Sequence, residues 1–186
     1  MSLPHALLTA LVEHPCSGSE LAARFERSIG YFWQATHQQI YRELGRLEQA
    51  GWAEAMEADT GRGRKRQYKI LEAGRLELRR WVGQHEDPKP MRDELMVRLR
   101  AEAAIGPSGL MDEIAARARV HQDQLANYQR IEQRDFCGPQ TSRESRLQHL
   151  VLKAGIWHET QWLKISQEAL EILAMPAGED APDPKA

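Results

Sequence analysis

The sequence predicts a mainly α-helical chain in two parts: three helices, a two-stranded hairpin and a short fourth helix, then a wholly helical second domain. Three observations carry that prediction. Apolar residues recur at i, i+3, i+4 and i+7 through most of the chain. Only one short stretch, from Trp52 to Ile70, alternates apolar and polar residues around a turn. In "GQHEDPKPMRD" (Gly83 to Asp93), Pro88 and Pro90 interrupt the helical pattern. The expected domains are therefore 1–82 and 93–175, joined by a linker at 83–92. The tail 176–186, rich in proline and acid, is expected to be frayed.

Leu7, Leu8, Leu11 and Val12 place the first helix from about Pro4 to Glu13, before His14 and Pro15. Ser17 and Glu20 are spaced as a capping box for the second, whose apolar side is Leu21, Ala22 and Phe25. "THQQ" repeats that signature, Thr36 as cap and Gln39 reaching back, and Ile40, Leu44 and Leu47 form the third helix's narrow buried stripe. Gly51 ends it. "WAEAMEA" and "RQYKI" are short strands around the turn "DTGRG", and "EAGRLELRRWV" is a short helix. In the second domain, "DELMVRLRAEAAI" is one helix and Ser108 to about Gln133 another. "TSRE", read as a third capping box, launches a last helix from about Ser142 to Leu173.

Composition excludes several classes. The chain has 186 residues, a net charge of -2, 41% hydrophobic and 28% charged residues, ordinary values for a soluble globular protein. No apolar run reaches the roughly 18 residues that cross a bilayer. "MSLPHALLTALVEHP" lacks a basic start and a small-residue cleavage site, so it reads as a first helix and not a signal peptide. Cys16 and Cys137 are far apart without paired spacing, which suits a reducing cytoplasm, the expected location. Cys16, just before a helix N-terminus, could carry a lowered thiol pKa; a small buried residue is the plainer account. None of the seven histidines is spaced i, i+4 from another, and there is no CxxC, phosphate loop or G-x-S-x-G. Neither catalysis nor a metal or other cofactor is expected.

The third helix raises the functional question. With Ile40 at zero and 100° per residue, Gln38, Arg42 and Gln49 fall opposite the apolar stripe, with Gly45 close by and Gln39, Tyr41 and Arg46 flanking. Glu43 and Glu48 fall towards the stripe's edges, so no carboxylate stands at the centre of the polar face. Gln pairs bidentately with adenine and Arg with guanine in a major groove, whereas a carboxylate would be repelled by phosphate. Directly afterwards, "RGRKRQYK" (Arg62 to Lys69) holds five cations and no acid. Residues 1–82 carry 12 Lys+Arg against 10 Asp+Glu, although the whole chain is slightly acidic. This is a winged helix-turn-helix: the last helix enters the groove and the wing, with Arg62, Arg64, Lys65 and Arg66, reaches phosphates or the minor groove. The expected DNA contacts are those four residues with Thr36, Gln38, Gln39, Tyr41, Arg42 and Arg46. The alternative is a winged helix that binds protein with a helical scaffold and no DNA target; the cationic wing argues against it.

"IYRELGRLEQAGWAEA" and "GRGRKRQYKILEAGRLEL" resemble the PadR family of bacterial transcriptional regulators. Ile40, Tyr41, Leu44, Arg46, Leu47, Glu48 and Gly51 match the family's third helix, and Gly61, Arg62, Arg64, Lys65, Tyr68 and Gly74 its wing and following helix. Arg42 stands where the family usually has proline. The resemblance covers about residues 3–82, and less specifically the family's longer C-terminal type. It implies a winged-helix dimer, usually a repressor, often relieved by a small, frequently aromatic, effector.

One recognition helix reads only a few base pairs, so useful specificity needs two half-sites about 34 Å apart on a palindromic operator, and hence a homodimer. In the last helix Leu147, Leu150, Val151, Ala154, Trp157 and Ile165 form a stripe, while Leu152, Ile156 and Leu163 lie on other sides. A helix apolar on several sides must be covered on several sides, so this helical domain is read as the dimerisation domain. Five tryptophans invite a ligand reading as well. Trp33, Trp157 and Trp162 are the candidates for a flat aromatic effector in a cleft between winged helix and dimer helices, although packing is the commoner use of such rings.

Overall fold

A computed structural model describes residues 3–27, 35–56, 66–87, 90, 92–139 and 141–176. The chain divides into two compact units, Met1–Pro88 and Lys89–Ala186.

In the first unit α1 (Leu3–Glu13), α2 (Gly18–Arg27) and α3 (His37–Gln49) surround a core of Leu7, Leu8, Leu11, Leu21, Phe25, Ile40, Leu44 and Leu47. All eight are at most 1% exposed, as their helical spacing requires. Both expected caps of this unit form. The Ser17 amide donates to Glu20 Oε2 at 2.8 Å and the Glu20 amide to Ser17 Oγ at 3.2 Å. Thr36 and Gln39 make the same exchange at 2.8 and 3.2 Å. Gly51, at φ +67°, takes the left-handed conformation that closes α3. Strands β2 (Ala53–Met56) and β3 (Gln67–Ile70) pair antiparallel, with Ala53 opposite Ile70 and Ala55 opposite Tyr68.

The sheet has a third strand that the two-stranded expectation lacks. β1 (Cys16–Ser17) pairs antiparallel with β3, giving the order β1-β3-β2. Otherwise β3 would present an unpaired backbone edge. Two residues are too few to show alternation, so no sequence pattern announces this strand. α4 (Glu72–Val82) follows directly. A Cβ on Gly74 would stand 2.3 Å from the Trp52 carbonyl oxygen, so only glycine lets this helix lie on the sheet. α4 also meets α1. His5 Nε2 lies 3.0 Å from Glu77 Oε1, and the His5 ring stacks on Trp81 with centroids 4.5 Å apart.

The second unit is helical: α5 (Glu94–Ile105), α6 (Leu110–Asp135) and α7 (Arg143–Leu173). Asp93 caps α5, accepting from the Leu95 amide at 2.7 Å, and Gly106 ends it at φ +84°. α6 starts two residues later than expected, because Ser108 hydrogen-bonds Glu102 and Gly109 takes the cap position. The expected cap at Thr141 is displaced by one residue: Ser142 is the cap and accepts from the Ser145 amide at 3.0 Å. Leu95, Leu110, Ile114 and Ala169 form the core that joins all three helices. Further along, a Cβ on Gly155 would stand 3.1 Å from Tyr128 Cε2, so α6 and α7 approach closely there. No helix among the described residues is long and apolar enough to cross a membrane.

Candidate nucleic-acid interface

Burial of Ile40, Leu44 and Leu47 fixes the rotation of α3, and with it the outward face. Gln38, Arg42 and Gln49 are all exposed on that face. A Cβ on Gly45, between them, would meet no heavy atom within 4 Å, so packing within this chain does not demand glycine there. Thr36, Gln39, Tyr41 and Arg46 are exposed along the flanks. Three of these already have internal work, Thr36 as the α3 cap that accepts from the Gln39 amide. Gln39 Oε1 accepts from the Thr36 amide, which leaves its NH2 for an outside acceptor. Arg46 Nη1 donates to Glu43 Oε2 at 3.1 Å, and the Glu43 side chain is only 12% exposed. That carboxylate is folded against the helix flank and does not face outward.

The wing is described only at its base. Arg66 is exposed, whereas Arg62, Arg64 and Lys65 lie outside the described residues. The fifth cation of the segment is not a spare one. Lys69 Nζ meets Glu54 Oε1 at 2.6 Å across the β2–β3 ladder, where these two residues are register partners. A basic run read one residue at a time cannot reveal such a cross-strand partner.

α2 is held by a residue the sequence did not single out. Arg24 Nη1 donates to the His14 carbonyl at 3.2 Å and Nη2 to Glu13 at 3.1 Å, tying α2 to the end of α1. Cys16 is 6% exposed, and burial pushes its thiol up, only partly opposed by Arg24. The reactive-thiol account of Cys16 therefore fails on its environment. Cys137 is exposed.

In the second unit the stripe expected to bind a partner lies open. Leu147, Leu150, Val151, Trp157 and Ile165 are 47%, 61%, 45%, 66% and 40% exposed, and Ala154 is exposed with them. Leu152 on the opposite side is buried. The two described candidate tryptophans do not share one site. Trp162 stacks on His121 of α6 with centroids 5.8 Å apart, whereas Trp157, about 140° round the helix, faces away. Trp33 lies outside the described residues.

Three helices, a small sheet with its hairpin, and an acid-free polar face on the third helix define a winged helix of the DNA-binding type. Known proteins agree. The transcriptional regulator PadR-like family model matches residues 7–80, and the virulence activator alpha C-term model matches residues 91–174. The probable transcriptional regulator Rv1176c of Mycobacterium tuberculosis is 39% identical over 186 residues, spanning 92% of this chain and 98% of the relative. The chain belongs to the PadR-like family of transcriptional regulators. Among solved structures, the Vibrio cholerae virulence activator AphA is 30% identical with a TM-score of 0.78, spanning 92% of this chain and 98% of AphA. Bacillus subtilis PadR shares the fold in two complexes. With operator DNA it gives a TM-score of 0.78 at 23% identity, spanning 93% of this chain and 99% of PadR. With p-coumaric acid it gives 0.73 at 22% identity, spanning 94% and 100%.

Proposed function

We propose that this regulator is a homodimer that binds a palindromic operator through α3 and the wing, represses by occupying it, and is released by a small aromatic effector. One observation carries the reading. The face of α3 turned to solvent offers Gln38, Arg42 and Gln49 with no carboxylate among them, and Arg66 leads into a wing sequence of further cations. Gln38 and Arg42 would read base edges. Thr36, Gln39, Tyr41 and Arg46 would contact the flanks, and Arg62, Arg64, Lys65 and Arg66 the phosphates. The B. subtilis PadR complex with operator DNA supports this use of the fold.

The exposed stripe on α7 supports dimerisation through the second unit, since large apolar side chains in a row call for a cover. Charge supports an antiparallel arrangement of two such helices. Arg143, Arg146 and Lys153 outnumber Glu144 in the first third of α7, and Glu168 and Glu171 outnumber Lys164 in the last. An aromatic effector is supported by the p-coumaric acid complex of PadR. Trp157, exposed on α7, remains a candidate contact, with Trp33; Trp162, already stacked on His121, is the weakest of the three. A second reading, activation, is favoured by the likeness to AphA and by the match of residues 91–174 to the virulence activator family.

The test is a binding isotherm on mixed duplex DNA at two salt concentrations. The log-log slope should be about -0.9 per neutralised phosphate, and Arg62→Ala or Lys65→Ala should each flatten it by roughly one unit. Arg42→Ala should relax sequence preference instead. A chain with no salt-dependent affinity for any duplex is the protein-binding module and not a DNA-binding regulator.

A further inference from the structure

Tyr41 lies on the flank of α3, about 100° from Ile40, between the buried stripe and the Gln38–Arg42 face. Its ring rests on the first residue of α2. A Cβ built on Gly18 would stand 2.5 Å from Tyr41 Cε1, 3.1 Å from Cζ and 3.2 Å from Cδ1. The ring therefore occupies the space a side chain would take. Gly18 is buried while Tyr41 is 47% exposed, so one side of the phenol is packed and the other is wet. Backbone conformation does not explain the glycine, since the positive-φ glycines among the described residues are Gly51, Gly106 and Gly109. Helix propensity does not explain it either, glycine being among the poorest helix formers. What a side chain at this position would meet is the Tyr41 ring, which would have to leave its place.

We propose that Gly18 is a seat that fixes Tyr41 as a positioning residue for DNA, with the Tyr41 hydroxyl meeting a backbone phosphate and setting the angle at which α3 enters the groove. This rests on the DNA-binding reading above. The geometry suits the task. The ring bridges the two helices of the helix-turn-helix at the foot of α2, where a duplex lying against α3 would also pass. A ring already held in place donates its hydrogen bond without first being ordered, and phosphate contacts of this kind set register without carrying sequence information. The hydroxyl is neutral, so it adds orientation where Arg42 and the wing add charge.

The experiment uses the full chain and a duplex recovered from a random-sequence pool by selection with the wild-type protein. Gly18→Ala should lower affinity about tenfold, and so should Tyr41→Phe, the size expected for one lost hydrogen bond to a charged group. Tyr41→Phe should weaken all sequences alike. Gly18→Ala should keep the wild-type circular dichroism and thermal midpoint, because the far end of an exposed side chain can swing aside. The decisive measurement is the double variant: in a Tyr41→Ala background, Gly18→Ala should cost nothing further. If Gly18→Ala binds like wild type, or costs the same with and without the Tyr41 ring, the seat is refuted while DNA binding stands. If the wild-type chain selects no duplex, DNA binding fails and takes the seat with it.

Discussion

The Nδ1 atom of His121 on α6 stands 2.6 Å from Glu159 Oε2 on α7, and the relationship recurs with the helices exchanged. His149 Nε2 on α7 stands 2.7 Å from Glu132 Oε1 on α6. Each imidazole is also stacked on an aromatic ring, His121 on Trp162 and His149 on Phe136. Two crossed pairs fix the register of antiparallel helices, because a slip of one turn, about 5.4 Å, would break both. Glu159 is 8% exposed. His121→Ala removes its partner and should destabilise the helical unit by about 1–3 kcal/mol, read as a lower urea midpoint. His158→Ala, at an exposed position edge-on to Trp162, should change it much less. Equal effects of the two would show that the Glu159 bond contributes little.

The first unit should weaken in acid through Glu77. Hydrogen bonds from Arg80 and then from His5 hold its carboxyl at about 2, against an ordinary 4.5. The unfolded chain therefore takes up this proton first. The stability Glu77 contributes is complete above about pH 4.5 and is lost as pH falls through the folded value. Glu77→Gln should flatten the decline of the thermal midpoint across that window. Parallel declines in the two proteins would locate the acid sensitivity elsewhere.

Leu150→Glu should separate the proposed dimer without unfolding the subunit, since Leu150 is already 61% exposed. Sedimentation should show the variant at 21.2 kDa and the wild type at twice that mass. A wild-type chain that sediments as a single subunit at micromolar concentration would remove α7 from consideration as the contact surface.

The two thiols should differ in reactivity. Under native conditions iodoacetamide should label Cys137, which is exposed, and leave Cys16, which is buried with its thiol pushed up. Prompt labelling of Cys16 in the folded protein would show that β1 parts readily from β3.

The helices were legible because each carries its own periodicity and stop signals. Thr36 with Gln39 and Ser17 with Glu20 could be read as caps from spacing alone. The outward face of α3 followed from Ile40, Leu44 and Leu47, because burying one stripe determines what lies opposite. Relationships between distant residues were not legible. The strand at Cys16–Ser17 exists only because β3 lies beside it. Lys69 entered the count of five cations, and only the ladder shows Glu54 next to it. Gly18 lay inside the Ser17–Glu20 capping box, and nothing nearby mentions a ring that arrives from Tyr41. The last helix's cap was misplaced by one residue because Thr141 and Ser142 carry the same chemistry side by side.

Residues 16 to 18 join parts that are usually considered separately. Cys16 and Ser17 are laddered to Tyr68 and Gln67, Ser17 also closes the top of α2, and Gly18 carries the weight of Tyr41. Three consecutive positions thus act as a joint shared by the sheet, the start of α2 and the side of α3, so a substitution at any one of them is felt by all three elements.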